Sequence, residues 1–266
     1  MTKDNIQKKT LSIRISTNGF CFCSYTPTDP DGVRYYTYQP DEERSIASNI
    51  QTAFESCPFT RQGNTFEIKA IIETDKYTCL PAEYDNAGDY KQYFDYCFPN
   101  SHECEIIANK LNAHGYTVLF PVEKSICEAI KPFGEATYYT PTSIIMSYLG
   151  YKPMKEEQYM FAYLYNDLAL IITMKNGKTE LTNIFHREDD CNTLFYLLSI
   201  WKEQGLSQTN DTLYICGDNS IEPFTIQASQ FIKKIKRINS NELFPANLLN
   251  KVEGIPFDMQ ALILCE

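Results

Sequence analysis

Hydrophobic and polar residues alternate from the first turn of the pattern: Leu11, Ile13 and Ile15 are separated by Ser12 and Arg14. That is the period of a β-strand with one buried face. Ser16-Thr17-Asn18-Gly19 follows. An Asn-Gly pair between apolar runs predicts a hairpin, because both residues tolerate positive φ. Phe20-Cys21-Phe22-Cys23 returns as a strand that is apolar on both faces, a loop from Pro27 to Gly32 leads out, and Val33 to Tyr38 is a third strand. Pro40-Asp41-Glu42-Glu43 is expected to open a helix, its acids favoured by the dipole of the first turn. Ile46, Ile50, Ala53, Phe54 and Cys57 form its apolar stripe and Pro58 stops it. Phe66, Ile68, Ala70 and Ile72 make a fourth strand.

The same order recurs further on. Tyr159 to Tyr165 is a strand, Asn166-Asp167 a tight turn, and Leu168 to Met174 the returning strand. Asn176-Gly177 predicts another hairpin into a strand from Glu180 to Phe185. Glu188-Asp189-Asp190 opens a helix with the stripe Cys191, Leu194, Leu198 and Trp201, Gly205 stands where a helix C′ glycine belongs, and Leu213 to Cys216 is a fourth strand. Asn166 follows Asn18 by 148 residues, and Asp189 follows Asp41 by the same 148. An ordered β-β-β-α-β series repeated at a near-constant offset predicts an internal duplication. Each helical crossover is expected to return the fourth strand parallel to the first, with helices covering both faces of the sheet. The fold class is therefore α/β, with two duplicated domains.

Further elements surround the repeat. Helices are expected over Asp89 to Phe98, Ser125 to Phe133, Thr142 to Leu149, Ile226 to Lys234 and Asp258 to Leu264, and strands over Glu105 to Lys110 and Thr117 to Val122. A boundary near Pro153 divides the chain into residues 1–154 and 155–266. Met1 to Lys9 reads as a loose tail.

Charge and composition narrow the partners. The formal net charge is −10, which repels nucleic acid and anionic membranes. The basic cluster Lys233, Lys234, Lys236 and Arg237 reads as a solvated helix end rather than an RNA contact. The first residues are polar, unlike a signal peptide, and apolar runs such as Leu168 to Met174 are far too short to span a bilayer. The ten cysteines contain no Cys-x-x-Cys pair and read as reduced thiols of a cytoplasmic protein.

A doubled β-β-β-α-β unit resembles the superfamily of sugar kinases, heat-shock chaperones and actin. Along its whole length the chain looks like a bacterial family of unknown function with the actin-like ATPase fold, built from RNase H-like domains. The segments that carry the resemblance are Ile13-Arg14-Ile15-Ser16-Thr17-Asn18-Gly19, Tyr163-Leu164-Tyr165-Asn166-Asp167-Leu168-Ala169-Leu170 and Tyr214-Ile215-Cys216-Gly217-Asp218. The resemblance implies ATP and magnesium between the two units, held by an Asp-x-Gly hairpin from each and by a Gly-Gly loop at the adenosine. It places the candidate ligand contacts at Thr17, Asn18, Gly19, Asn166, Asp167, Gly217 and Asp218. Here the pattern departs from the superfamily. Thr17 stands where the first hairpin should offer Asp, Leu168 stands where the second should offer Gly, and Cys216-Gly217-Asp218 has one glycine where two belong. Magnesium needs carboxylates beside the phosphates. The expectation is a protein without catalytic residues, cofactor or metal, acting through a protein partner. The alternative is a nucleotide-binding switch or weak ATPase or phosphotransferase.

Other chemistries are weaker. The sequence lacks the P-loop, Gly-x-Gly-x-x-Gly, Gly-x-Ser-x-Gly and His-Glu-x-x-His motifs. Cys97, His102 and Cys104 match no usual zinc spacing. Asp29, Asp31 and Gly32 lack the later ligands of a calcium loop. His186 reads as a loop histidine paired with an acid rather than a general base. An RNase H-like nuclease would need converging acids, and the first strand carries none. Tyr35, Tyr36 and Tyr38, like Tyr138 and Tyr139, suit either sheet packing or an exposed interface.

Overall fold

The computed structural model describes residues 9–25, 32–60, 66–85, 88–99, 101, 103–217, 221–238 and 254–265. These divide into two compact units, one ending at Ile144 and one beginning at Ile145. In the first, β1 (Lys9–Ser16), β2 (Gly19–Tyr25) and β3 (Val33–Tyr38) form an antiparallel meander. Then α1 (Ile46–Ser56) crosses over and β4 (Phe66–Ile72) returns parallel to β1. An inserted layer follows: β5 (Thr78–Pro81), α2 (Tyr90–Cys97), β6 (Cys104–Leu111) and β7 (Tyr116–Glu123). After α3 (Lys124–Ile130), β8 (Gly134–Tyr139) joins the main sheet beside β4, and α4 (Pro141–Tyr151) carries the chain onward. The second unit holds β9 (Gln158–Tyr165), β10 (Leu168–Lys175), β11 (Lys178–His186), α5 (Asp190–Glu203), β12 (Thr212–Gly217), α6 (Glu222–Ala228), β13 (Lys234–Arg237) and α7 (Phe257–Leu264).

The two main sheets have one topology. Their orders are β3-β2-β1-β4-β8 and β11-β10-β9-β12-β13, each with an antiparallel meander followed by parallel strands. The duplication read from the sequence is therefore present as structure. In the first unit Phe22 packs edge-on against Phe54 of α1, and Phe54 stacks on Phe133 at 4.1 Å. In the second, Met160, Ala162 and Leu164 of β9 pack with Leu197 and Trp201 of α5 and Phe224 of α6. The opposite face of β9 sets Phe161 and Tyr163 against Phe257 of α7, which Tyr148 of α4 also meets. Helices thus cover both faces of the second sheet. The inserted sheet, in the order β5-β7-β6, has its own small core of Leu80, Phe94 and Leu119.

Several expectations are corrected. The acids at Asp41 to Glu43 precede α1 instead of opening it. The Ser45 hydroxyl caps the helix by accepting from the Ser48 N–H, and buried Asn49 organises the turn before it, accepting from the Asp41 N–H and donating to the Asp41 carbonyl. The first hairpin turns on Thr17-Asn18, because Ser16 pairs with Gly19. The expected helix Ile226 to Lys234 is shorter and earlier, as α6. The basic cluster is largely edge strand β13, not a helix end, and three of its four cations are met internally: Lys236 pairs with Glu156 at 2.5 Å, Arg237 with Glu222, and Lys234 donates to the Asn210 carbonyl. Tyr36 and Tyr38 lie against Phe22 and Phe20, and the Tyr35 hydroxyl reaches Cys21 Sγ, so this strand is packed rather than presented. The loop residues Asp29 and Asp31 and the histidine His102 lie outside the described residues, as does the site residue Asp218.

Candidate functional site

In sheets with parallel strands, ligands gather at the carboxyl ends. The β1–β2 turn lies at the carboxyl end of β1, and β4 ends beside it because Ile15 pairs with Ile72. Ser16 does not reach outward: its hydroxyl donates to the Gly19 carbonyl at 2.8 Å and closes the turn. Thr17 and Asn18 are exposed at the tip. Thr17 borders a cavity of about 310 Å³ within the first unit, together with Ile72, Glu73, Phe98, Ser101 and Glu123. Glu73 continues the backbone pairing of β4, its N–H donating to the Ile15 carbonyl. Its carboxylate meets Arg14 at 3.2 Å in a pair whose side chains are each only 5% exposed.

The chemistry of this cavity is acidic. Glu73, Asp75 and Glu123 line it against one ammonium, Lys76. Arg14 neutralises Glu73 from below. A triphosphate placed there would meet like charge on the wall and no carboxylate at the hairpin tip to share a metal. The tip of the first hairpin thus supplies no carboxylate ligand of its own to a metal. Among the described residues no three His, Cys, Asp or Glu side chains converge as metal ligands. Two of the thiols, Cys23 and Cys79, are pushed by burial up to about 12, which keeps them protonated and unreactive at neutral pH.

In the second unit Asn166, Asp167 and Gly217 gather at one sheet end, because β12 runs parallel to β9 and Gly217 pairs with Leu164. Asn166 has φ 45°, as the tight turn demands. Asp167 is more than half exposed, with His186 Nδ1 at 3.9 Å, so the acid facing this histidine comes from the β9–β10 turn. Asp189 is not a site acid: it caps α5 by accepting from the Asn192 N–H at 2.6 Å. Leu168 does not project towards a ligand. It pairs with Tyr165 across the turn and is buried, like every residue of β10 up to Met174. Gly217 serves close packing. A Cβ there would lie 2.6 Å from the Leu164 carbonyl and 2.5 Å from Ile221 Cγ2. The sequence reading missed Arg14, Glu73 and the inserted-layer residues Phe98 and Ser101. Its available signal was the polar run Glu73-Thr74-Asp75-Lys76 directly after an apolar strand.

Comparison with known proteins agrees with this geometry. A Bacteroides thetaiotaomicron protein with an actin-like ATPase fold and unknown function superposes with a TM-score of 0.81 at 24% identity, covering 98% of this chain and 97% of that one. The PilM–PilN type IV pilus biogenesis complex gives a TM-score of 0.62 at 10% identity over 96% of this chain and 97% of that one. The cytoplasmic domain of EpsL, an inner membrane component of the type II secretion system of Vibrio cholerae, gives 0.52 at 8% identity over 97% and 96%. No curated protein sequence matches the chain. The fold is the actin-like ATPase fold. A family model described as a protein of unknown function matches residues 1–236, and the chain belongs to that family, DUF3822.

Proposed function

We propose that this protein is a non-catalytic docking or scaffold protein of the cytoplasm, a pseudo-ATPase that uses the actin-like frame to hold a protein partner. The observation that carries the reading is the first hairpin, whose tip is Thr17-Asn18 beside a cavity walled by Glu73, Asp75 and Glu123. A lead comes from two proteins of the same fold: one is part of a PilM–PilN pilus biogenesis complex, and the other belongs to an inner membrane component of a secretion system. Net charge −10 argues against nucleic acid or an anionic membrane as the partner. Among the described residues no helix is long and apolar enough to cross a membrane.

The test is thermal unfolding with and without millimolar Mg-ATP, alongside an assay of phosphate release. A nucleotide present at 100 times its dissociation constant would add about 2.7 kcal/mol. The expected outcome is no shift and no turnover. Metal-dependent turnover that disappears in Asp167→Ala would instead establish the nucleotide-binding switch or weak phosphotransferase, with Asp167 as its metal-facing acid.

A further inference from the structure

The inserted layer of the first unit carries a second concavity, separate from the hairpin cavity. β5 is an edge strand. It pairs with β7 on one side, and among the described residues no strand pairs with its other side. Between β5 and α2 runs a groove of about 440 Å³, lined by Thr78 and Leu80 from the strand and by Gln92, Tyr93, Tyr96 and Cys97 from the helix. The two faces of α2 are distinct. Tyr90, Phe94 and Phe98, four residues apart, pack onto Leu80 and Leu119. Tyr93 and Tyr96 add nothing to that core and stand 41% and 92% exposed. The residues that α2 gives to the groove, Gln92, Tyr93, Tyr96 and Cys97, carry no formal charge, and Lys91 pairs with Asp95 at 2.8 Å.

The direction of the groove is fixed at both ends. Cys97 Sγ lies 3.8 Å from Thr78 Oγ1, so the start of β5 meets the end of α2. At the other end the Tyr90 hydroxyl donates to Asp85 at 2.6 Å. Glu83 is exposed at that end and, among the described residues, forms no ion pair, while Asp89 caps α2 by accepting from the Gln92 N–H at 3.2 Å. An open strand edge offers backbone donors and acceptors to an extended chain, and adjacent rings supply side-chain contacts. Tyrosine gives large contact area at low entropic cost, which is why it is enriched in recognition surfaces. Pro81 ends the strand and has no N–H, so the ladder is limited to Thr78–Leu80 and side-chain contacts must carry most of the affinity.

We propose that this groove takes an extended peptide of a partner protein as an added strand on β5. Alternate apolar side chains of the peptide lie against Tyr93 and Tyr96, and a basic residue lies beside Glu83. The proposal deepens the docking reading above by naming a surface and a partner class, and it rests on that reading.

A phage-displayed random peptide library, selected on the immobilised full chain, tests it. The comparison variant is Tyr93→Ser/Tyr96→Ser, with its melting temperature and the hydrogen exchange of α2 measured to show that the helix still folds. The expected result is enrichment of peptides with apolar residues at alternate positions and a lysine or arginine at one end. These bind the variant at least about tenfold more weakly, and bind Glu83→Lys, which leaves the Asp89 cap of α2 in place, about twofold more weakly at low salt. Enriched peptides with helical spacing, or affinities unaffected by the tyrosine replacements, overturn the groove while leaving the docking reading intact. A self-associating chain that becomes monomeric on Tyr93→Ser/Tyr96→Ser overturns the foreign-peptide assignment in favour of a second copy. Magnesium-dependent ATP turnover in the same preparation defeats the docking reading itself, so the two failures are distinguishable.

Discussion

Counted back from their hairpin turns, β1 and β9 present the same positions with different chemistry. Ser16 and Tyr165 each precede a two-residue turn, so Arg14 corresponds to Tyr163 and Ser12 to Phe161. On one face the strands agree: Ile13 and Ile15 match Ala162 and Leu164, all buried and apolar. On the other face the second unit stacks Tyr163 on Tyr165 at 4.6 Å, whereas the first buries Ser12, Arg14 and Ser16. The duplicated topology therefore fixes only one side of each sheet. The pairing pattern requires an apolar face for crossover helices to cover, and β1 and β9 keep it. The second face is free to differ, and in the first unit it holds an ion pair beside the candidate site.

The sharpest way to break this comparison is to remove the charge. Arg14→Met leaves Glu73 buried opposite no guanidinium, and losing one partner of a buried pair costs about 3–5 kcal/mol. Replacing both, as Arg14→Met/Glu73→Leu, should recover most of that loss, because an apolar pair of similar volume carries no desolvation penalty. The same replacement at the counterpart, Tyr163→Met, removes a stacked ring and no charge, and should cost about 1–3 kcal/mol. Urea denaturation of the four proteins decides it. If the double variant is no more stable than Arg14→Met alone, the pair is not what distinguishes the two faces.

How much of this was legible follows the same division. The alternation of Leu11, Ile13 and Ile15 disclosed β1, and the continuous run from Leu168 disclosed β10, but the alternation marked the polarity of the two faces of β1 and not their burial, since Ser12, Arg14 and Ser16 are buried as well. The duplication followed from the offset between the repeats, whereas β8 and β13, the fifth strand of each sheet, lay outside the repeat as read. The pattern failed where local hydrogen bonds or cross-chain partners decide. Asn49 draws Asp41 out of the helix it was expected to open. Lys234 and Lys236 flank Ile235 in an edge strand whose cations are met by Asn210 and Glu156, partners remote in sequence. β5 is a four-residue strand ending in Pro81, too short for a period to show. For the candidate site, the sequence placed Thr17, Asn166, Asp167 and Gly217 at strand ends. It could not show that Gly217 is needed for packing, or that Glu73 reaches back to Arg14.

Gly217 offers a second contrast. By the strand pairing it corresponds to Ile72, since Leu164 pairs with the one and Ile15 with the other. Ile72 borders the cavity, whereas Gly217 has no room for a single carbon. Gly217→Ala should therefore destabilise by about 1–3 kcal/mol through overpacking. Ile72→Val, which removes a carbon beside open space, should cost about 0.5–1.5 kcal/mol. Denaturant midpoints with unchanged slopes would establish both. Equal tolerance at the two positions would mean that the second sheet relaxes where the distances imply it cannot.

The inserted layer is the largest addition to the first unit, and Asp85 ties it together. Its carboxylate accepts from the Tyr90 hydroxyl at 2.6 Å and the Thr117 hydroxyl at 2.8 Å, and Lys110 Nζ lies 3.0 Å away. The Tyr90 hydrogen bond, then those of Lys110 and Thr117, hold this carboxyl well below the ordinary range. A folded-state pKa below the unfolded value of about 3.9 means the stabilisation is complete above that value and is lost as pH falls through and below it. Asp85→Asn should lower the melting temperature by a fixed amount between about pH 5 and pH 7, and the gap to the unaltered protein should narrow as pH drops below about 4. Among the described residues the second unit has no layer of this kind, so hydrogen exchange should place the loss in β5 to β7 and leave β9, β10 and β12 as protected as before. A gap that widens in acid, or exchange that rises equally in both units, would show that Asp85 does not act as a local clamp of the inserted layer.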